Sequence, residues 1–296
     1  MLHVATGTRR NLYYRVLIGA ALSWSGIAAA QDAPAAAQPT PPSVQTAPSQ
    51  AGEIVVEGIA VPGEEAPQES LTPGGPGRTS GIDPSQTPIA NRQKYDWSDI
   101  YVRCVMSSAR LRKTELRDVV DGSFNYSTQA YAQDLLARRN ASCLQHSFQT
   151  HAVDPPGLGY SIYDRGAYLI EAIRTYAPAL QLTRRETGDQ KVQSRFNLRE
   201  MPRNRYRLPV DYRYFEVAVC AVRLQPTLSV ALVATPHAEP AKIRRIENAI
   251  VSGSRICFGN AKKVFFDPTQ FRIYIADAVY RWAVAARGVD SLIPLE

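Results

Sequence analysis

Beyond residue 30 the 296-residue chain has no apolar run near the ~20 residues that a membrane-spanning helix requires. It contains no C-x-x-C pair and no G-x-S-x-G, H-E-x-x-H or P-loop pattern. The redox, hydrolase, zinc-protease and nucleotide-binding arrangements that announce themselves by spacing are therefore missing. Histidine is scarce, with four in all. His237 stands alone in a Pro-bounded turn, and His146 and His151 are five apart, which does not stack two ligands on a helix face as i,i+4 would. Together with Asp154 they could make only a loop metal site, and polar residues after a helix end are ordinarily solvated. No metal and no other cofactor is expected.

Between Gln31 and Lys94 aromatic residues and cysteine are absent, while eleven of the 21 prolines fall there among many Ala, Gln, Ser and Gly. Such a stretch cannot bury enough apolar surface to offset the entropy of ordering it, so residues 31–95 read as a disordered linker. As a flexible coil it would reach roughly 40 to 50 Å.

What precedes it has three zones: a basic start with Arg9, Arg10 and Arg15, an apolar run from Val16 to Ile27, and the small residues Ala28-Ala29-Ala30 before Gln31. This order predicts a signal peptide over 1–30, cleaved near Ala30, and hence a periplasmic or secreted protein. An uncleaved anchor is the rival, but the run is short and is interrupted by Gly19, Ser23, Ser25 and Gly26. Thr8-Arg9-Arg10-Asn11-Leu12 resembles a twin-arginine export signal, although paired arginines also occur in ordinary leaders, so both export routes stay open. Loss of the leader lowers the formal charge from +7 to +4. The linker carries seven acids and three bases and the remainder 28 bases and 20 acids, so a basic domain hangs on an acidic tether. A basic domain outside the cytoplasm suggests an anionic envelope component or an envelope protein as partner, and no nucleic acid.

One linker patch differs: Glu53-Ile54-Val55-Val56-Glu57-Gly58 is β-branched and apolar. It resembles the short [DE]-I-V-V-x-G segment near the mature N-terminus of TonB-dependent outer-membrane receptors. That resemblance implies that Ile54, Val55 and Val56 pair as a strand with the edge of a partner's sheet. Chance β-rich composition is the alternative. The receptors' transport function does not carry over, because the rest of the chain has a helical pattern and no barrel-sized run of strands.

The folded part is expected over 96–296, and its main clue is internal similarity. Cys104 and Cys143 have 38 residues between them, Cys220 and Cys257 have 36. Tyr101-Val102-Arg103-Cys104-Val105 matches Val217-Ala218-Val219-Cys220-Ala221, and the segment from Arg165 to Ile173 matches Arg272 to Val279 with a one-residue slip. Two related units follow, about 96–178 and 212–287. The predicted fold is mainly α, with about three helices per unit, each unit closed by its own disulfide: Cys104 to Cys143 and Cys220 to Cys257. Each unit's cysteines are placed early in one long helix and at the end of the next, in antiparallel packing. The last helix is the clearest, with Asp267 as cap, Pro268 at its first position, Gln270 completing a capping-box-like pattern, and Phe271, Ile275, Ala278, Trp282 and Ala285 as its buried stripe. Between the units, Arg195-Phe196-Asn197-Leu198-Arg199 and the run from Arg205 to Tyr214 alternate like strands and suggest a short hairpin with Pro209 on an edge. The second run could equally lead straight into the helix of Cys220.

Residues 184 to 213 hold eight arginines and one lysine against four acids. Arg184, Arg185, Arg195, Arg199, Arg203, Arg205, Arg207 and Arg213, interleaved with Tyr and Phe, form a candidate anion-binding segment; a solvated connector is the bland alternative. Alternation implies that Arg203, Arg205 and Arg207 are exposed. Glu171 and Asp277 occupy matching places in the two units, more simply as partners for the matching Arg165 and Arg272 than as a catalytic pair. These observations predict an exported, non-catalytic binding or scaffold protein of the cell envelope. An inhibitor or immunity-like protein that blocks an envelope enzyme, and an envelope enzyme of unrecognised site, are the other two classes.

Overall fold

The computed structural model describes residues 54–57, 87–144, 158–259 and 263–295, with backbone alone for 54–57 and 263–266. The expected signal peptide, most of the linker, and His146, His151 and Asp154 lie outside the described residues. The chain folds as helices α1 (Pro88–Met106), α2 (Lys113–Asp121), α3 (Ser127–Arg139), α4 (Ile162–Tyr176), α5 (Arg184–Gly188), α6 (Gln190–Asn204), α7 (Pro209–Leu224), α8 (Pro226–Ala234), α9 (Pro240–Gly253) and α10 (Pro268–Arg287). A 3-10 turn spans Arg255–Phe258. Strands β1 (Ile54–Glu57) and β2 (Lys263–Phe266) pair antiparallel, Ile54 opposite Phe266 and Glu57 opposite Lys263. The receptor-like segment is thus a strand, paired here with its own chain.

The mainly α, disulfide-closed architecture is observed. Cys104 bonds Cys143 and Cys220 bonds Cys257, each with Cα atoms 5.6 Å apart. The two halves share an order: a long helix ending near a cysteine, a nine-residue helix, a middle helix, a helical turn with the second cysteine, then a buried long helix. The cysteines sit differently from the expectation, since Cys104 and Cys220 lie in the last turns of α1 and α7. Both helices begin earlier than expected because a proline occupies their first turn, where its missing N–H costs nothing and its φ is already helical. For α1 this moves the linker boundary back: Thr87 accepts from Ala90 N at 3.3 Å and starts the helix at Pro88, not near residue 95. No single helix among the described residues is long and apolar enough to cross a membrane.

The expected hairpin is absent from the described residues and its place is taken by α6 and α7. Asp189 caps α6 through Lys191 N and Val192 N, and Val192, Phe196 and Glu200 are buried at helical spacing. Pro209, read as a strand-edge residue, is the first residue of α7.

At the centre, α10 is buried continuously from Phe271 to Ala285 and packs against α1, α4, α7, α8 and α6. A helix covered on all sides has no polar face to spare, so its charged residues must find partners inside. Asp267 caps it by accepting from Gln270 N at 2.9 Å, but the Gln270 side chain reaches Tyr163 instead of closing a capping box. Gly288, at φ 65°, ends it in the left-handed conformation that favours glycine. Gly166 of α4 lies against Ile273 of α10, where a Cβ would come within 2.6 Å of the isoleucine side chain. The two segments matched in sequence therefore cross at matched positions.

Candidate functional site

The arginines of the basic segment divide into two sets. Arg195, Arg199 and Arg203 recur every four residues and share one face of α6; Arg207 continues the interval into the turn beyond it. Arg195 donates to the carbonyl oxygen of Ala285 at 2.8 Å, and Arg199 to Val289 O at 3.2 Å, to Asp290 O and to Asp121 at 3.0 Å. Arg203 donates to Asp121 O at 3.1 Å. The ladder donates to carbonyls at and just beyond the C-termini of α2 and α10, where positive charge is also favoured by the helix dipole. The ladder lines a groove of about 870 Å³ with Arg117, Asp121 and Asp290, but its donors are directed at the protein's own backbone.

Arg207, expected to be exposed, is buried. It donates to Asp277 at 2.8 Å and to Asp211 at 3.4 Å, and its guanidinium lies 3.6 Å from the Phe215 ring centroid. Asp277 also accepts from Arg165 at 3.1 Å and from Arg281 at 3.1 Å. Burial alone would raise the Asp277 carboxyl, but Arg165, Arg281 and Arg207 outweigh it and hold the group far below the usual carboxylate range. Arg281 further donates to the carbonyls of Val120, Asp121 and Gly122. The matching Arg165 and Asp277 are thus partners of each other, while Glu171 binds Arg174. This cluster pins α2, α4, α7 and α10 together and shows no opening to a ligand. By contrast Arg184, Arg185, Arg205 and Arg213 are exposed, Arg205 resting 4.7 Å over Tyr206.

A second concavity, of about 400 Å³, lies between α1, α9 and the first turns of α10. Its walls are apolar where Ile89, Ile243 and Pro240 contribute, and cationic where Arg92, Arg244 and Arg272 do. Arg92 and Arg244 are exposed. Tyr95 forms part of the lining, its ring 4.7 Å from that of His237, and burial pushes its hydroxyl up to about 12 with Arg272 opposing. His237 approaches Asp96 at 2.7 Å through Nε2 and Arg272 at 3.2 Å through Nδ1. Arg272 can only donate, so Nδ1 accepts and the ring proton resides on Nε2, facing the acid. The Nδ1 lone pair is thereby taken up by Arg272, while Nε2 lies close to Asp96 without forming a hydrogen bond of good geometry.

Sequence reading missed this site because its residues come from three distant stretches. Only the Pro-bounded turn around His237, which holds the ring rigidly against Tyr95, was a local sign. Among the described residues no three His, Cys, Asp or Glu side chains assemble as metal donors. No protein-family model matches the chain, and no curated protein or solved structure matches it either.

Proposed function

We propose that the chain is an exported, non-catalytic binding module of the cell envelope, whose ligand is a small anion with an apolar portion. The observation that carries this reading is the α1/α9/α10 cleft, which sets three arginines against the one carboxylate of Asp96 and adds apolar wall at Ile89, Pro240 and Ile243. Its volume falls within the range of small-molecule pockets. Export is supported by the three-zone leader and by two disulfides, which persist in oxidising compartments. Binding without chemistry is supported by the engagement of the His237 Nδ1 lone pair with Arg272.

Calorimetry with the chain from Gln31 onward tests the reading. Decanoate and decyl phosphate should bind, and decyltrimethylammonium should not. Joint replacement of Arg92 and Arg244 by alanine should weaken the anions roughly tenfold or more, the loss expected for two partly screened charge contacts. Equal binding of the cationic probe, or no binding of either anion, rejects it.

A further inference from the structure

Helices α6 and α7 both pack against α10 and leave between them a groove of about 330 Å³. Hydrogen bonds fix how its two walls are matched. At one end Gln193 donates to Thr187 O at 3.1 Å and the Thr187 hydroxyl donates to Arg223 O at 2.9 Å, which ties the start of α6 to the end of α7. In the middle Trp282 stacks on Phe196, with ring centroids 4.3 Å apart, and donates to Val219 O at 3.2 Å. At the other end, by the turn that joins the helices, Asn204 stands on the α6 wall and Tyr212 and Glu216 on the α7 wall. The floor is apolar, made by the buried rings of Phe196, Phe215 and Trp282. The charge lies towards the two ends. Glu216 and Arg223 line the groove and are exposed, and neither takes part in an ion pair among the described residues. Seven residues apart, they share one face of α7 and stand about 10 Å from each other along its axis. Glu200 on the α6 wall is already engaged by Arg203 at 3.4 Å and Arg281 at 3.8 Å, so Glu216 is the acid left to act outward.

From this arrangement we infer a second binding site, independent of the α1/α9/α10 cleft, for a short peptide with both termini free: its ammonium group at Glu216, its carboxylate at Arg223 and its middle amides beside Asn197. An extended chain spans at most ~3.3 to 3.6 Å per residue, so about three residues cover the distance between the two charges. The forked donors of Arg223 match the two oxygens of a terminal carboxylate. Asn197, exposed on the α6 wall of the groove, offers in one side chain the donor and the acceptor that a peptide C=O and N–H require. The floor of Phe196, Phe215 and Trp282 receives apolar side chains of the peptide. A ligand with two like charges would meet its own sign at one end, which is why a zwitterion fits and a dianion does not.

The test is calorimetry of the full chain with the free tripeptide Ala-Leu-Ala, which should bind. Acetylation of its N-terminus and amidation of its C-terminus should each weaken binding roughly fivefold, the upper range for an exposed ion pair. In Glu216→Gln the penalty of acetylation should vanish while that of amidation stays; Arg223→Gln should show the reverse. Both side chains are exposed, so the variants should unfold at the wild-type temperature; should either fail to fold, the blocked peptides on the wild type decide. Joint replacement of Arg92 and Arg244 by alanine should leave the tripeptide unaffected, because those side chains line the other cleft. The ω-amino acid 8-aminooctanoate carries the two charges without the amides and should bind more weakly. Absence of binding by Ala-Leu-Ala, equal binding of the doubly blocked peptide, or penalties that persist in both variants overturns the site. Binding of 8-aminooctanoate as tightly as the tripeptide overturns the assignment of a peptide.

Discussion

Asp277 and Glu247 are both buried carboxyls near the central helix α10, and they meet the cost of burial in opposite ways. Asp277 is surrounded by Arg165, Arg207 and Arg281 and stays ionised; Glu247 faces only distant countercharge and keeps its proton. Desolvation raises both, and the number of close donors decides which outcome follows. The first arrangement is closed, with three guanidinium groups converging on one carboxylate. The second leaves both carboxyl oxygens of Glu247 without a hydrogen-bond partner among the described residues.

The sharpest way to break the comparison is to remove the acid from the closed cluster. Asp277→Ala leaves three buried guanidinium groups without their shared carboxylate, and breaking even one buried ion pair costs about 3 to 5 kcal/mol. Loss of cooperative unfolding, or failure to fold, is expected by denaturant titration. The pH dependence follows the same logic: a depressed carboxyl contributes stability that is present above its unfolded pKa and lost as pH falls below about 4. A variant as stable as the wild type would show that the arginines are compensated elsewhere.

Next in size are the disulfides. Each closes a loop of similar length, with separations of 39 and 37 residues, and is worth about 4 kcal/mol in the chain-entropy model. Replacing Cys104 and Cys143 together, or Cys220 and Cys257 together, by serine should therefore lower stability by similar amounts. A large inequality would mean that the matching element order of the two halves hides different energetics.

Glu247 gives the third effect and the opposite sign from Asp277. Its folded pKa lies above the unfolded one, so its contribution is fully present below about 4.5 and is lost as pH rises towards about 8. Across that window the slope is about 1.4 kcal/mol per pH unit, or roughly 3 kcal/mol between pH 5 and 7. Glu247→Gln should flatten the stability profile over this range in thermal unfolding without ligand. An unchanged slope would show that the carboxyl is solvated.

Much of the fold was legible because its signals are local. The Asp267-Pro268 start and the apolar stripe of Phe271, Ile275, Ala278 and Trp282 define α10, and the internal similarity selected the cysteine pairing. The stretch around Arg195 to Tyr214 was misread because short alternation of Arg with Tyr or Phe satisfies a strand pattern, while the four-residue interval of Arg195, Arg199, Arg203 and Arg207 carries the helical one. The cleft was not legible at all. Tyr95, His237, Arg244 and Arg272 are brought together only by tertiary packing, and none stands in a motif.

The smallest expected effect separates the two sets of arginines. Arg184, Arg185, Arg205 and Arg213 point outward, whereas Arg195, Arg199 and Arg203 bind backbone carbonyls and Arg207 binds Asp277. An exposed arginine contributes mainly to the long-range field, which falls off within a Debye length of about 8 to 10 Å at ordinary salt. Its removal should change stability by no more than about 0.5 kcal/mol per site. Replacing all four outward arginines by glutamine should therefore leave the unfolding midpoint nearly unchanged while lowering the salt concentration at which the protein elutes from a phosphate-bearing matrix. The proposal that residues 184 to 213 attract anions is therefore confined to these four. If elution does not move, the attraction of this segment is local to the ladder, and its charges are spent inside the fold. If the midpoint falls as far as it does for a ladder residue, the four are anchored after all, and the division between outward and inward arginines does not hold.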